Sequence, residues 1–216
     1  MVEKKRTFFD IMAESNGYSQ SATSTKPLQK LNTYPLTGRC PCSHVTYELS
    51  SSPLIVHACH CTYCQRETGS SFALNAIYEP SLVTLTGSAT DSSLLHVPIP
   101  SASSPSGQTM VRCPKCYTVV WSHYAAGGPL KIIRVGTIDG VLDEEGRYVA
   151  NGGLKPHAHI FAGEEKRHRW FGIPAGSVVY EGYGPREEYW PAESLVRLEE
   201  FTKGNQKVKA FSRSGV

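Results

Sequence analysis

The decisive stretch is His57-Ala58-Cys59-His60-Cys61-Thr62-Tyr63-Cys64-Gln65-Arg66, which sets three thiols within six residues. Cys59 and Cys61 are two apart, so in an extended chain both point to one face. Cys64 follows at the three-residue interval of a tight zinc-binding turn. Three thiolates converging on one point, with no fourth ligand nearby in sequence, describe a zinc with one position left over. A closed structural zinc has four protein ligands, whereas a site for chemistry keeps three and leaves the fourth position to water or substrate.

The chain has seven cysteines: Cys40 and Cys42, the triplet, and Cys113 and Cys116. They form the groups C-x-C, C-x-C-x-x-C and C-x-x-C. Four plus three is the natural partition for zinc. The outer pairs, Cys40, Cys42, Cys113 and Cys116, give a closed four-thiolate clip, with the segment from Ser43 to Arg112 looped out between them. The triplet is then the open site. A rival partition joins Cys40 and Cys42 to Cys61 and Cys64 and leaves Cys59 with Cys113 and Cys116; it separates Cys59 from Cys61, which should share a face. The competing reading of the whole set is small buried hydrophobes. Charge favours four plus three: zinc with four thiolates carries a net −2, while zinc with three carries −1 and stays electrophilic.

Composition bounds the rest. A chain of 216 residues, 40% hydrophobic and 19% charged, can bury a real core. Gly 19 and Pro 14 favour many turns and short strands over long helices. A net charge of +3 with no basic run argues against nucleic acid. No apolar window is long enough for a membrane span, and no signal-peptide core follows Met1-Val2-Glu3-Lys4-Lys5-Arg6. A cytoplasmic location is expected, with the nucleus as the alternative. Thiols stay reduced there, so clustered cysteines read as metal ligands before disulfides.

Residues 1–33 are polar and are expected to be disordered, with a short helix near Phe8–Met12. A single zinc domain is expected over 34–192, followed by a charged tail over 193–216. Within the domain, strands are expected near 45–49, 54–58, 71–78, 82–87, 118–122 and 130–138, with one helical turn over 62–68. Residues 98–108, rich in Pro and Ser, read as an insertion loop, and 140–153 as a Gly-rich acidic loop. Trp121, Trp170, Phe171 and Trp190 are expected in the core.

The cysteine groups and their surroundings resemble the glutathione-dependent formaldehyde-activating enzyme family, which includes the centromere protein V-like proteins. The matching pieces are Gly38-Arg39-Cys40-Pro41-Cys42, Cys59-His60-Cys61-Thr62-Tyr63-Cys64-Gln65-Arg66, Thr68-Gly69-Ser70-Ser71-Phe72, Leu85-Thr86-Gly87, Arg112-Cys113-Pro114-Lys115-Cys116, Gly136-Thr137-Ile138-Asp139 and Pro156-His157-Ala158-His159-Ile160. Their order and spacing also agree, over roughly residues 36–175. The resemblance implies a mainly β fold, a β-tent of small antiparallel sheets around zinc with few short helices. It implies two zinc ions per chain, a structural one on Cys40, Cys42, Cys113 and Cys116 and a catalytic one on Cys59, Cys61 and Cys64. The family usually has glycine where Ser43 and Tyr117 stand here, so each turn is expected to differ slightly.

The resemblance further implies a carbon–sulfur lyase of the S-(hydroxymethyl)glutathione synthase type. The expected partner is a small thiol or thiol adduct such as glutathione. An open three-thiolate zinc suits that chemistry, because a bound thiol would lose its proton and become a nucleophile at neutral pH. Two alternatives remain: a zinc-stabilised binding module without chemistry, or the same fold acting on a secondary metabolite. Arg66, Gly69, Ser70, Phe72 and His159 are candidates for the substrate mouth. The competing reading for Gly69 to Phe72 is a plain turn into a strand, and for His159 a packed histidine. His60, between two ligands, should point away from them. His57, His123 and His157 read as structural or solvated, and Asp139 as a brace for a turn.

Overall fold

A computed structural model of the chain describes residues 31, 33–101, 104–124, 128–163 and 171–204. The polar lead with its expected short helix, Trp170 and the last twelve residues lie outside the described residues. Among the described residues twelve strands run in chain order: β1 Leu36–Arg39, β2 Thr46–Leu49, β3 Ile55–Cys59, β4 Ala73–Tyr78, β5 Val83–Thr86, β6 Leu95–Ser101, β7 Ser104–Arg112, β8 Val119–Tyr124, β9 Lys131–Arg134, β10 Val141–Leu142, β11 Tyr148–Val149 and β12 Ala158–Ile160. The α-helices among the described residues are α1 Thr62–Thr68, α2 Arg186–Tyr189 and α3 Ala192–Gly204.

The strands form a seven-stranded sheet in the order β12-β3-β4-β9-β8-β7-β6, a three-stranded sheet β1-β2-β5 and the pair β10-β11. The fold is thus mainly β with few short helices, as expected. Pairing is antiparallel except between β12 and β3, which run parallel. β3 lies inside the large sheet and all five of its residues are buried. Its sequence Ile-Val-His-Ala-Cys is accordingly apolar on both faces, not alternating.

The main core fills the space between the two larger sheets. Leu36, Tyr47 and Leu49 of the small sheet meet Val56, Ala76, Val111, Trp121 and Ile133 of the large one. Tyr47 packs edge-on to Trp121 at 6.2 Å between ring centroids, and its hydroxyl bonds Thr137 Oγ1 at 2.6 Å. The Tyr47 ring lies so close to Gly38 that a Cβ there would come within 2.3 Å of it. Gly38 therefore permits the tyrosine to cross β1.

Three expectations are corrected. Within 98–108, residues 98–101 and 104–108 are strand and not loop: they lie in the β6–β7 hairpin, with Pro98 opposite Thr109 and Ile99 opposite Gln108. Pro98 and Pro100 are tolerated because β6 is the outer strand, which can leave positions without an N–H facing solvent. Residues 140–153 are not loop throughout, since β10 and β11 pair there. The charged tail begins instead as α3, whose Leu198 is buried with Leu54, Ile55, Leu130 and Trp190. Leu195, Leu198 and Phe201 recur at three-residue intervals, a helical stripe masked by the surrounding Glu and Arg. Trp121 and Trp190 are buried as expected, whereas Phe171 is half-buried and packs on Phe72 and His60.

Candidate metal centres

The first centre joins the ends of two hairpins. Cys40 follows β1 and Cys113 follows β7, and both are fully buried. Each is closed by the same device: Cys40 N–H donates to Val45 O and Cys113 N–H to Thr118 O, each at 3.0 Å. The ligand atoms of Cys40, Cys42, Cys113 and Cys116 all lie within 4.8 Å of one another. Cys40 Sγ stands 3.5 Å from Cys42 Sγ, which is 3.6 Å from Cys113 Sγ. Four sulfurs bound at about 2.3 Å to one tetrahedral ion would be roughly 3.8 Å apart. The donor set therefore fits such an ion. Backbone N–H groups already point at the sulfurs, from Val45 to Cys40 at 3.3 Å and from Lys115 to Cys113 at 3.4 Å. Those donors offset the charge of bound thiolates.

Both turns place a residue with a side chain in the backbone conformation that glycine favours. Ser43 and Tyr117 take φ of 55° and 60°, the left-handed conformation that glycine would adopt freely. The two residues carry the strain. Arg112 helps at the second turn, its Nη1 donating to Tyr117 O at 2.9 Å. At the first, Arg39 beside Cys40 pairs with Asp139 at 2.9 Å. Asp139 also accepts from Thr37 Oγ1 at 2.8 Å, which makes it a brace.

The second centre arises where a strand hands over to a helix. Cys59 ends β3, Cys61 is the N-cap of α1, and Cys64 lies in its first turn. Cys61 Sγ accepts from Cys64 N–H at 3.4 Å. The α1 C-terminus is closed by Gly69 in the left-handed region, whose N–H bonds Gln65 O. These short elements gather the sulfurs of Cys59, Cys61 and Cys64 within 4.8 Å of each other, and no fourth His, Cys, Asp or Glu joins them among the described residues. The sulfurs act on one another: hydrogen bonds from Cys59 and Cys64 hold the Cys61 thiol well below its usual range. Hydrogen bonds to Cys61 and Cys64, then burial, push Cys59 up. Three sulfurs gathered this closely fit a metal cation that would replace their protons.

The helix that carries Cys64 is pinned to the sheet. Glu67 Oε2 pairs with Arg134 Nη2 at 2.7 Å, both side chains nine-tenths covered. Arg134 also bonds Asn75 Oδ1, and Arg112 reaches Glu67 Oε1 at 3.5 Å. Arg112 thereby touches both the turn of the first centre and the helix of the second. Sequence reasoning did not find this network, because Glu67 gives no signal beyond standing three residues after Cys64.

The remaining candidates divide. Cys59 is in register with Ala73 and Ile160. His60, Phe72 and His159 are each one residue away from these, so alternation sends them to the opposite face. There they cluster: His60 Nε2 bonds His159 Nδ1 at 2.9 Å, and Phe72 lies 5.2 Å from the His60 ring and 6.3 Å from that of His159. His60 thus points away from its neighbouring cysteines, as expected. Ser70 is exposed and its hydroxyl bonds Phe72 O and Thr68 Oγ1; Gly69 and Ser70 build the turn. Arg66 is exposed on α1. The cysteine face is lined differently. Tyr63, Phe161, Tyr180 and Tyr189 pack against the cluster of Cys59, Cys64, Ala73, Ala158 and Ile160.

Residues 35–164 match the family model described as glutathione-dependent formaldehyde-activating enzyme. That span covers well over half of the chain and all seven cysteines, and the protein belongs to this family. Among solved structures, a Rhodobacter sphaeroides protein aligns with a TM-score of 0.37 at 18% identity, over 49% of this chain and 90% of that one. No curated protein matches the chain.

Proposed function

We propose that the protein is a zinc-dependent carbon–sulfur lyase acting on adducts of glutathione or a similar small thiol, in the manner its family's name implies. The observation that carries this is the contrast between the two cysteine clusters, one with four sulfurs and one with three. Cys40, Cys42, Cys113 and Cys116 would hold a structural zinc. Cys59, Cys61 and Cys64 would hold a second zinc with a position left for the substrate's sulfur. When bound there, zinc supplies Lewis acidity and makes a thiol ionise near neutral pH.

In the synthetic direction the thiolate sulfur attacks the aldehyde carbon. A C–S bond forms, the C=O π pair moves to oxygen, and the proton released by the thiol ends on that oxygen as a hydroxymethyl thioether. The lyase direction reverses each step. The chain's own residues orient and enclose. Cys61 at the helix N-cap and Cys59 at the strand end fix the sulfurs on rigid elements. Phe161, Tyr63 and Tyr180 exclude water from one side.

The test is turnover of glutathione with formaldehyde, and of other thiol–aldehyde pairs, by purified protein. The expected result is adduct formation above the uncatalysed rate that falls at least a hundredfold in Cys61→Ser, with circular dichroism unchanged. Full activity in Cys61→Ser would overturn the assignment. A folded, zinc-loaded protein with no activity on any thiol adduct would favour a binding module.

A further inference from the structure

Both cysteine centres stand at one end of the large sheet. Pairing along β3-β4-β9-β8-β7 is antiparallel throughout, so β3, β9 and β7 run in one direction. Their last residues are Cys59, Arg134 and Arg112. Cys113 of the clip follows Arg112 directly, and α1 begins soon after Cys59 at the same end. The register between β7 and β8 shifts between Val111 and Arg112, an irregularity of the kind that re-aims a side chain. Met110, two residues back along β7, lies with its Sδ 3.9 Å from Arg134 Nη2.

The two arginines converge on the Glu67 carboxylate. Its Oε1 faces Arg112 Nη2 at 3.5 Å and its Oε2 faces Arg134 Nη2 at 2.7 Å. The other amino group of Arg112, Nη1, donates to Tyr117 O at 2.9 Å. Tyr117 follows Cys116 and closes the second turn of the clip, its N–H donating to Cys113 O at 3.0 Å. A guanidinium is a rigid planar fork. One rigid group is thus shared between the turn that carries Cys113 and Cys116 and the helix that carries Cys64. Glu67 stands one turn beyond Cys64 in a helix of only 7 residues, with Cys61 as its N-cap. A displacement of Glu67 therefore displaces the sulfurs of Cys61 and Cys64.

We propose that Arg112 is a positioning residue that couples the two centres: when the clip holds its ion, Arg112 sets Glu67, and with it α1, where Cys61 and Cys64 meet Cys59 around a second ion. This rests on the two-metal reading proposed above and not on the choice of substrate. The sulfurs of Cys113 and Cys116 and the carbonyl of Tyr117 belong to one turn. Closing that turn fixes the carbonyl, the carbonyl orients the fork, and the fork presents its second amino group to Glu67. The ordering of α1 is then complete before a second ion arrives, which raises affinity there. Linkage makes the effect mutual, so an ion held by Cys59, Cys61 and Cys64 tightens the clip by the same factor.

The test needs no turnover. Zinc is withdrawn from the loaded full chain by graded chromogenic chelator, which reads the affinity of each ion, for wild type, Arg112→Gln, Arg112→Lys and Arg112→Gln combined with Glu67→Gln. Each is also made with Cys61→Ser, so that the clip is read alone. In Arg112→Gln the ion at the three-cysteine site should bind about tenfold more weakly. In the Cys61→Ser background the same substitution should leave the affinity of the clip unchanged. Arg112→Lys keeps the charge beside Glu67 but lacks the fork, so it should hold the second ion as weakly as Arg112→Gln. Added to Glu67→Gln, Arg112→Gln should weaken that ion no further. Wild-type affinities in Arg112→Gln, full rescue by Arg112→Lys, or an additive loss in the double variant overturns the coupling even though two ions bind. A clip weakened by Arg112→Gln in the Cys61→Ser background makes Arg112 a support of the clip alone and overturns it as well. A wild type that holds one zinc only overturns the two-metal reading, and the coupling with it.

Discussion

Ser43 and Tyr117 occupy backbone conformations that cost a residue with a side chain roughly 1 kcal/mol each. The metal turns over-determine them. Ser43→Gly and Tyr117→Gly should each stabilise the zinc-loaded protein by about 1 kcal/mol, less whatever entropy glycine adds to the unfolded chain. Urea unfolding of the metal-loaded forms checks this; a loss of more than 1 kcal/mol in either variant would mean that the side chain, and not the backbone, holds the turn. Gly38 has the opposite logic, and Gly38→Ala should destabilise the fold by pushing the Tyr47 ring out of place. At this scale the sequence exposed the two cysteine clusters, because metal-binding cysteines come at fixed short spacings that a backbone turn imposes. It did not expose Tyr180 or Tyr189, which pack on the cysteine cluster. Tyr189 meets His57 across 132 residues, and a lone tyrosine at the end of a four-residue helix carries no periodicity or spacing to mark it. His159 and Phe72 were legible as family-type residues, but strand alternation turns them from the cysteine face.

Helix α1 is the element that makes the second centre, and its hold on the sheet is the Glu67–Arg134 pair. Removing one partner of a buried ion pair leaves the other charge uncompensated. Glu67→Gln should cost about 3 kcal/mol of stability by that measure, and should weaken metal binding at Cys59, Cys61 and Cys64 more than at the four-cysteine clip. Competition with a chromogenic chelator separates the two sites; equal weakening of both would contradict a role specific to α1. Helix α3 escaped the sequence reading because charge dominates its composition, although three apolar side chains set its face. Leu198→Ala should cost about 2–4 kcal/mol, the range for deleting a buried leucine, and leave the metal content intact. The β6–β7 hairpin escaped for another reason: Pro98 and Pro100 signal a break, yet an edge strand accepts them. Strands of the sheet interior were the easiest to read, since runs such as Ile55-Val56-His57-Ala58 have no other stable place.

For the molecule as a whole, the four-cysteine clip joins chain segments 71 residues apart. A link closing a loop of that length removes roughly 4 kcal/mol of unfolded-state entropy in the chain-entropy model. Stripping metal with a strong chelator, or Cys113→Ser, should therefore lower the unfolding free energy by several kcal/mol. Cys61→Ser should lower it much less, because Cys59, Cys61 and Cys64 are already neighbours in sequence. On the proposed function the two centres divide stability and chemistry between them, and Arg112 touches the turn of one and the helix of the other.

The most direct test of that division is zinc counted per chain in the purified protein and in Cys61→Ser, with unfolding followed alongside. The account predicts two zinc ions in the wild type and one in Cys61→Ser, which keeps its fold and the tight remaining ion. One zinc in both proteins, indifferent to Cys61, would contradict it and leave the clip as the molecule's only metal centre.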